Sequence, residues 1–550
     1  MAHFVDRYRE QIAQLAGAKE FGRASKDAFD EFRNASQRSC ERAGILNTSV
    51  IDPEAANELL RDIHSKIVEN LETLAKGYSS VRWLFMLRRL PRNVFEGQLI
   101  STRGYDSALA EVLAARSSLI EQIRSQDSSL YFHIDGNCVR RLLRFCGGVR
   151  TLSETQVLAR WCGKGASLRI SKDWLPSVEP IEDLREAVQI YDRRCENERS
   201  AWSAAGTVFC EAGGGAECIL VADKMLPQHF RLPDENTIDG IASPRLISLT
   251  DIRKLTEDAA RVAGTPWPRE SAIAIWIARA AWFYFVRRHR ALPLIRQIFN
   301  TGYLLISDEI ADEWVAEVAT DCNQFVRDAV GHSPDVNSLV DLLAVAKKDR
   351  GEVWPLWPRD LIRTLPGAVC VDLCAASYSI QDSLEYTEET GTIANVRSQH
   401  FEAAVQKMID GTSWRPEGET RKLIGLKLRK GKRAITDIDA VGISGTTLLL
   451  VSCKSRLKAR QYDIGKYSVV RNAAAAMAVA QTEWKSVVSD ILSGPGEFNW
   501  DFMRYSKIVG VVCTSSVFYA PLSVMTVDSA DGIPIKGLNE LRAWLDTPAD

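Results

Sequence analysis

The twelve cysteines of this chain include no C-x-x-C pair, and no Cys/His group has zinc-finger spacing. That excludes the common structural zinc modules and thioredoxin-type redox chemistry. Scattered from Cys40 to Cys513, these thiols fit a reduced, cytoplasmic protein better than a disulfide-stapled secreted one. The opening stretch MAHFVDRYREQIAQLAGAKE reads as a charged amphipathic helix without an apolar core, so no secretory leader is expected. Long hydrophobic runs are also missing. The nearest is Ser271 to Val286, about 16 residues interrupted by Arg279, short of the roughly 20 that a bilayer core requires. A buried helix is expected there, and no membrane partner.

Net charge is nearly absent too: 69 Lys and Arg stand against 71 Asp and Glu, a formal −2. Long-range steering by overall charge is therefore excluded, and any electrostatic recognition must be local. Neither Gly213-Gly214-Gly215 nor the stretch RWCGKGAS from Arg160 to Ser167 has the spacing of a phosphate-binding loop. No internal repeat or low-complexity tract is present.

What remains is ordinary globular composition, 46% hydrophobic and 25% charged over 550 residues, enough for several cores. The expected fold is multidomain α+β. Residues 1–128 read as mainly helical, with helices over Pro53 to Lys76, begun by an Asp52 cap, and over Tyr105 to Arg124. Residues 129–394 mix strands and helices: a strand, turn and strand around the triple glycine, then helices over Leu249 to Ala263 and Asp308 to Ala329. The polar stretch Gln381 to Ser398 marks the boundary before a last domain over 395–550.

That last domain reads as α-β-β-β-α-β. A helix carries HFEAAVQKMID from His400, followed by a strand-like piece around Trp414 and the paired strands of AITDIDAVGISGTTLLLVSCK, Ala434 to Lys454. A helix through RNAAAAMAVAQTEWKSVVSDIL, a buried strand KIVGVVCTS, a short strand SVMTV and a helix LNELRAWLD complete it. Alternate residues of a strand share a face. Asp437 and Asp439 therefore point one way, and Ser452 and Lys454 end the same face of the next strand. A two-residue turn at Ser444-Gly445 sets Asp437 opposite Ser452, whereas a four-residue loop from Ser444 to Thr447 sets Asp439 there. Charge inside so apolar a pair is costly unless it binds something.

The neighbourhood is basic. Residues 411–460 hold twelve Lys or Arg against four acids, in a chain that as a whole is close to neutral. Within this patch Lys427, Arg429, Lys430, Lys432, Arg433, Arg456 and Lys458 are candidates for holding phosphates.

This order of parts, with Glu402 on the first helix, Asp439 in DIDAVG and LLLVSCK ending on Lys454, resembles the PD-(D/E)xK, or restriction-endonuclease-like, nuclease superfamily. The resemblance covers about residues 395–545. It implies a restriction-endonuclease-like core, Asp439 as the metal-binding aspartate, Lys454 as the catalytic lysine and Glu402 as the helix glutamate. Ser452 stands where the family carries Glu or Asp, leaving Asp437 as a substitute acid. Such a site uses Mg2+ or Mn2+ to hydrolyse DNA. The implied protein is an endonuclease, of the kind found in restriction or phage defence, whose N-terminal region engages a target, a protein partner or a second copy of itself. The second reading is a nuclease-like module that has lost its metal at Ser452 and only binds nucleic acid.

Overall fold

The computed structural model describes residues 7–90, 104–117, 119, 121, 124–126, 129–179, 181–198, 206–208, 216–222, 242–258, 269–287, 298, 301–346, 360–385, 392–456, 459–525 and 532–546. It is a mixed α/β chain with several small sheets. The N-terminal part is built from the helices Ala18–Arg42, Pro53–Ala75 and Gly136–Gly163. Asp52 starts the second of these as its sequence position requires, its carboxylate accepting from the amides of Glu54 and Ala55, each at 3.1 Å. Leu60, Ile63 and Leu71 pack with Val139, Leu142 and Val149 in one core, which runs straight across the 128/129 boundary expected from composition. The helix expected over Tyr105 to Arg124 stops earlier, spanning Gly104–Ala114. Arg124 instead begins a short strand paired with Ser129–Tyr131.

A second core surrounds the helix Arg269–Arg287, which contains the apolar run. Arg279 is 1% exposed. It lies over the rings of Phe283 and Phe325, at 4.5 and 4.6 Å from their centroids, and pairs with Asp321 at 3.1 Å. Charge pairing and cation–π contact thus make a buried arginine tolerable in an apolar core. Among the described residues no helix is long and apolar enough to cross a membrane. The strands Thr207–Val208 and Ala216–Ala222 form as expected but do not pair with each other, because Ala242–Ser248 lies between them. The triple glycine lies outside the described residues. Helices follow at Leu249–Asp258 and Asp308–Val330.

The two cores are joined by a buried charge network. Arg88 donates to both oxygens of Glu111 at 3.0 Å, to Asp372 at 2.9 Å and to the Thr301 carbonyl at 2.6 Å. Arg363 donates to Asp372 at 2.9 Å. Two cations and two anions balance. Burial alone would raise the Asp372 carboxyl, but Arg88 and Arg363 hold it down to about 2. Asp372 also accepts from the amides of Cys374 and Ala375, capping the helix Leu373–Glu385.

The C-terminal unit, whose elements are numbered from its own start, begins with α1, Thr392–Asp410. Then come β1, Lys427–Lys430; β2, Arg433–Asp437; β3, Ala440–Ser444; and β4, Thr447–Lys454. After β4 the long α2, Tyr467–Ser493, crosses over to β5, Lys507–Thr514. Strand β6, Ile535–Gly537, and helix α3, Leu538–Leu545, close the unit. The main sheet has the order β3-β4-β5-β6, antiparallel at β3/β4 and parallel thereafter. Helix α1 covers one face, setting Phe401, Val405 and Ile409 against Leu449 and Val451. Helix α2 covers the other, with Trp484, Val488 and Ile491 against Leu448 and Leu450. Being buried on both faces, β4 reads as an unbroken apolar run.

Several local expectations are corrected here. Trp414 lies in no strand; it is buried and stacks on Trp544 at 5.6 Å. The expected strand SVMTV is replaced over Ser523 to Met525 by a single helical turn, Leu522–Met525, while its Thr526 and Val527 lie outside the described residues. Its β-branched residues favoured a strand, but the Pro521 carbonyl accepts from the Val524 amide at 2.9 Å and turns the chain. Helix α1 begins at Thr392, ahead of the predicted start.

Asp372→Asn leaves two buried guanidinium groups facing one carboxylate. It is expected to cost about 3–5 kcal/mol, read as a lowered urea midpoint with an unchanged slope.

Candidate active site at the edge of the C-terminal sheet

Strands β3 and β4 pair Ile443 with Leu448 and Ser444 with Thr447. Gly445, at φ 58°, takes the left-handed conformation at the tight turn between them. Of the two registers open to the sequence, this is the one that sets Asp439 opposite Ser452. Asp439 immediately precedes β3 and Lys454 ends β4, so both lie at the same edge of the sheet.

Asp437 does not share a strand with Asp439. Ile438 interrupts the run: its amide donates to the Leu426 carbonyl at 3.1 Å, its carbonyl accepts from Gly425 at 2.7 Å, and its side chain is fully buried. The chain there leaves the small β1/β2 sheet and enters the main one. Asp437 is exposed at the end of β2, paired in register with Lys427.

The Asp439 carboxylate accepts from the Cys453 amide at 2.6 Å. Burial raises its proton affinity; the Cys453 amide, Lys454 and the Ser452 hydroxyl oppose the rise, and Asp437 adds to it. Glu402, half-buried on α1, is raised first by its own burial and then by Asp439 and Asp437, with Lys454 working against them. Glu402, Asp437, Asp439, Ser452 and Lys454 therefore share one electrostatic neighbourhood. Among the described residues, no three or more His, Cys, Asp or Glu side chains are arranged to hold a metal ion together. What the site offers is Asp439 and Glu402, with Asp437 at its rim.

One residue without a motif to announce it holds this site together. Gln406 lies one turn beyond Glu402 and is buried. It accepts from the Val441 amide at 2.8 Å and donates to the Val441 carbonyl at 3.1 Å and to Asp410 at 2.9 Å. It thereby fixes α1, and Glu402 with it, against β3. The i, i+4 spacing of Glu402 and Gln406 beside the apolar positions of α1 was the available signal.

The basic residues divide. Lys430 pairs with Glu497 at 2.8 Å. Lys427, Arg429, Lys432 and Arg433 are exposed on the β1/β2 hairpin and pair with no acid among the described residues. Asn499 secures that hairpin, its side chain accepting from the Arg429 amide at 2.8 Å and donating to the Lys427 carbonyl at 3.0 Å. Arg456 is half-buried just beyond Lys454. Lys458 lies outside the described residues.

No family model, curated protein or solved structure matches this chain. The functional reading therefore rests on these residues and their geometry.

Both carboxylates hold a proton more tightly in the folded chain than in an unfolded one. In metal-free buffer they cost stability above their folded pKa, and the cost is relieved as pH falls through mildly acid values. Asp439→Asn is accordingly expected to raise the melting temperature at neutral pH without metal, and the gain over wild type should shrink towards mildly acid pH. Thermal melts across that range check both.

Proposed function

We propose that the C-terminal unit is a metal-dependent endonuclease of PD-(D/E)xK type that hydrolyses DNA phosphodiester bonds. One observation carries the reading. Two partly buried carboxylates, Asp439 and Glu402, the first raising the proton affinity of the second, stand at a sheet edge shared with Lys454, and a hairpin begins beside them on which Lys427, Arg429, Lys432 and Arg433 pair with no acid among the described residues.

Two partly buried carboxylates that repel each other fit a divalent cation, and Mg2+ characteristically takes only one or two protein carboxylates while keeping several waters. Asp439 and Glu402 would hold Mg2+ or Mn2+. When bound, such an ion polarises the phosphate and makes a bound water acidic. Lys454 supplies positive charge where negative charge grows on the phosphate. The Cys453 amide and the Ser452 hydroxyl aim the Asp439 carboxylate and oppose the rise in its proton affinity that burial causes. Lys427, Arg429, Lys432 and Arg433 hold backbone phosphates of the substrate. A large helical and mixed region joined to such a unit suits an effector that recognises a target or a protein partner before cutting, as restriction and phage-defence enzymes do.

Ser452 favours a second reading. A hydroxyl is a neutral and weaker ligand than the carboxylate this position carries in that family, so the unit would then bind nucleic acid without cutting it.

Asp439→Ala or Lys454→Ala should each lower Mg2+-dependent cleavage by about a hundredfold or more, assayed on duplex DNA, single-stranded DNA and RNA. If wild type cuts none of these with Mg2+ or Mn2+, and Ser452→Glu is equally silent, the binding-module reading replaces this one. The hairpin makes a separate prediction. Lys427→Ala with Arg429→Ala should weaken DNA binding and flatten the slope of log affinity against log salt by about 2, measured by fluorescence anisotropy.

A further inference from the structure

The chain that follows Lys454 is held by residues far away in sequence. The carbonyl of Lys454 accepts from the amides of Arg456 and Ser515 at 2.9 and 3.4 Å, and the Arg456 carbonyl accepts from the Ser515 hydroxyl at 2.8 Å. A one-turn helix, Arg460–Asp463, then leads through Gly465 into α2. Lys466, at the N-cap position of α2, contributes no side-chain hydrogen bond to its first turn, where backbone amides normally need an acceptor.

That acceptor comes from the N-terminal helices. On Pro53–Ala75, Asn57 accepts from the Tyr467 amide at 3.2 Å and donates to the Gly465 carbonyl at 2.7 Å. On Gly136–Gly163, Arg160 donates to the Asp463 carbonyl at 2.8 Å. The two backbones touch. A Cβ at Gly163 would lie 2.2 Å from the Gly465 carbonyl oxygen, and one at Gly465 would lie 2.4 Å from the Arg160 Cα. Gly465 also has φ 77°, which disfavours other residues. Beside these contacts, Val470, Ala473 and Met477 of α2 pack with Ala166, Leu184 and Tyr191 in a single apolar cluster.

We infer that the N-terminal helices form a clamp that sets the position of the strand end carrying Lys454, and that Asn57, acting as a helix cap from another part of the chain, is its positioning residue. Its bearing on catalysis rests on the nuclease reading above; the clamp itself does not. The coupling is geometric. Strand β5 pairs in parallel with all of β4, from Thr447 with Lys507 to Lys454 with Thr514, and α2 is the crossover that makes this pairing possible. A shift at the first turn of α2 is thus passed to the end of β4.

The test compares wild type with Asn57→Ala and Asn57→Asp in the full chain, by amide hydrogen exchange and by cleavage kinetics. For Asn57→Ala, exchange over Tyr467 to Val470 should quicken by about tenfold. The change should extend to Cys453 and Lys454 while Leu448 to Leu450 stay protected. Asn57→Asp keeps the acceptor for Tyr467 and should restore part of this protection. In cleavage, Asn57→Ala should lower kcat by about tenfold with KM nearly unchanged, since the hairpin cations are untouched. Unchanged exchange over Tyr467 to Val470, or quickening that stops short of Cys453, would overturn the clamp; quickened exchange that reaches Lys454 with unchanged kcat would overturn its bearing on catalysis. If the wild-type chain cuts nothing, the nuclease reading fails, and the exchange data alone decide the clamp.

Discussion

The parallel pairing of Thr447–Lys454 with Lys507–Thr514 is the constraint on which the C-terminal unit turns. Parallel neighbours cannot be joined by a tight turn, so the chain must leave the sheet after Lys454, pass through a helix and return. The position of Lys454 follows from that exit. Strand β4 is buried on both faces as far as Cys453, and only where the chain quits the core can a lysine reach water. The same edge is where the antiparallel partner begins, which brings Asp439 opposite Ser452. The Cys453 amide offsets part of the cost of desolvating that aspartate, at 2.6 Å.

The exit segment also ties the C-terminal unit to the rest of the chain. It is met by two helices of the N-terminal part through side-chain caps and a glycine-to-glycine contact, while Arg194 grips Glu540 of α3 at 2.7 and 2.9 Å. At the other junction, Arg88 and Arg363 meet Glu111 and Asp372 in full burial. Polar contacts of this kind demand particular geometry and contribute less net stability than apolar packing of equal volume, so their effect is to fix orientation. The cores are joined in defined poses through groups that tolerate little sliding.

Where elements are local, the amino-acid pattern predicted them well. The helices Pro53–Ala75, Asp308–Val330 and Tyr467–Ser493 follow from apolar spacing, and the first also from its Asp52 cap. The apolar run around Arg279 proved to be a buried helix because the guanidinium found Phe283, Phe325 and Asp321. Pairings were harder. Nothing in Thr207–Val208 and Ala216–Ala222 shows that a strand some twenty residues further on will come between them. Nor does composition show that Gly136–Gly163 shares a core with helices before residue 128. Asp437 and Asp439 have the same parity in sequence, yet the Ile438 backbone bonds to Gly425 and Leu426 and parts them, Asp437 ending β2 and Asp439 standing just before β3.

By itself, then, the sequence determined the chemical inventory of the site: which carboxylates, which lysine and which cations stand near one another along the chain, and that β4 must be buried on both sides. Side-chain period and hydrophobicity are local properties, and they are written in consecutive residues. Tertiary structure decided the choice between two registers, the demotion of Asp437 to the rim, the anchoring of Glu402 by Gln406 and the capping of α2 by Asn57. Each of these depends on a hydrogen bond or contact between residues distant in the chain, whose partners become neighbours only after the cores have packed.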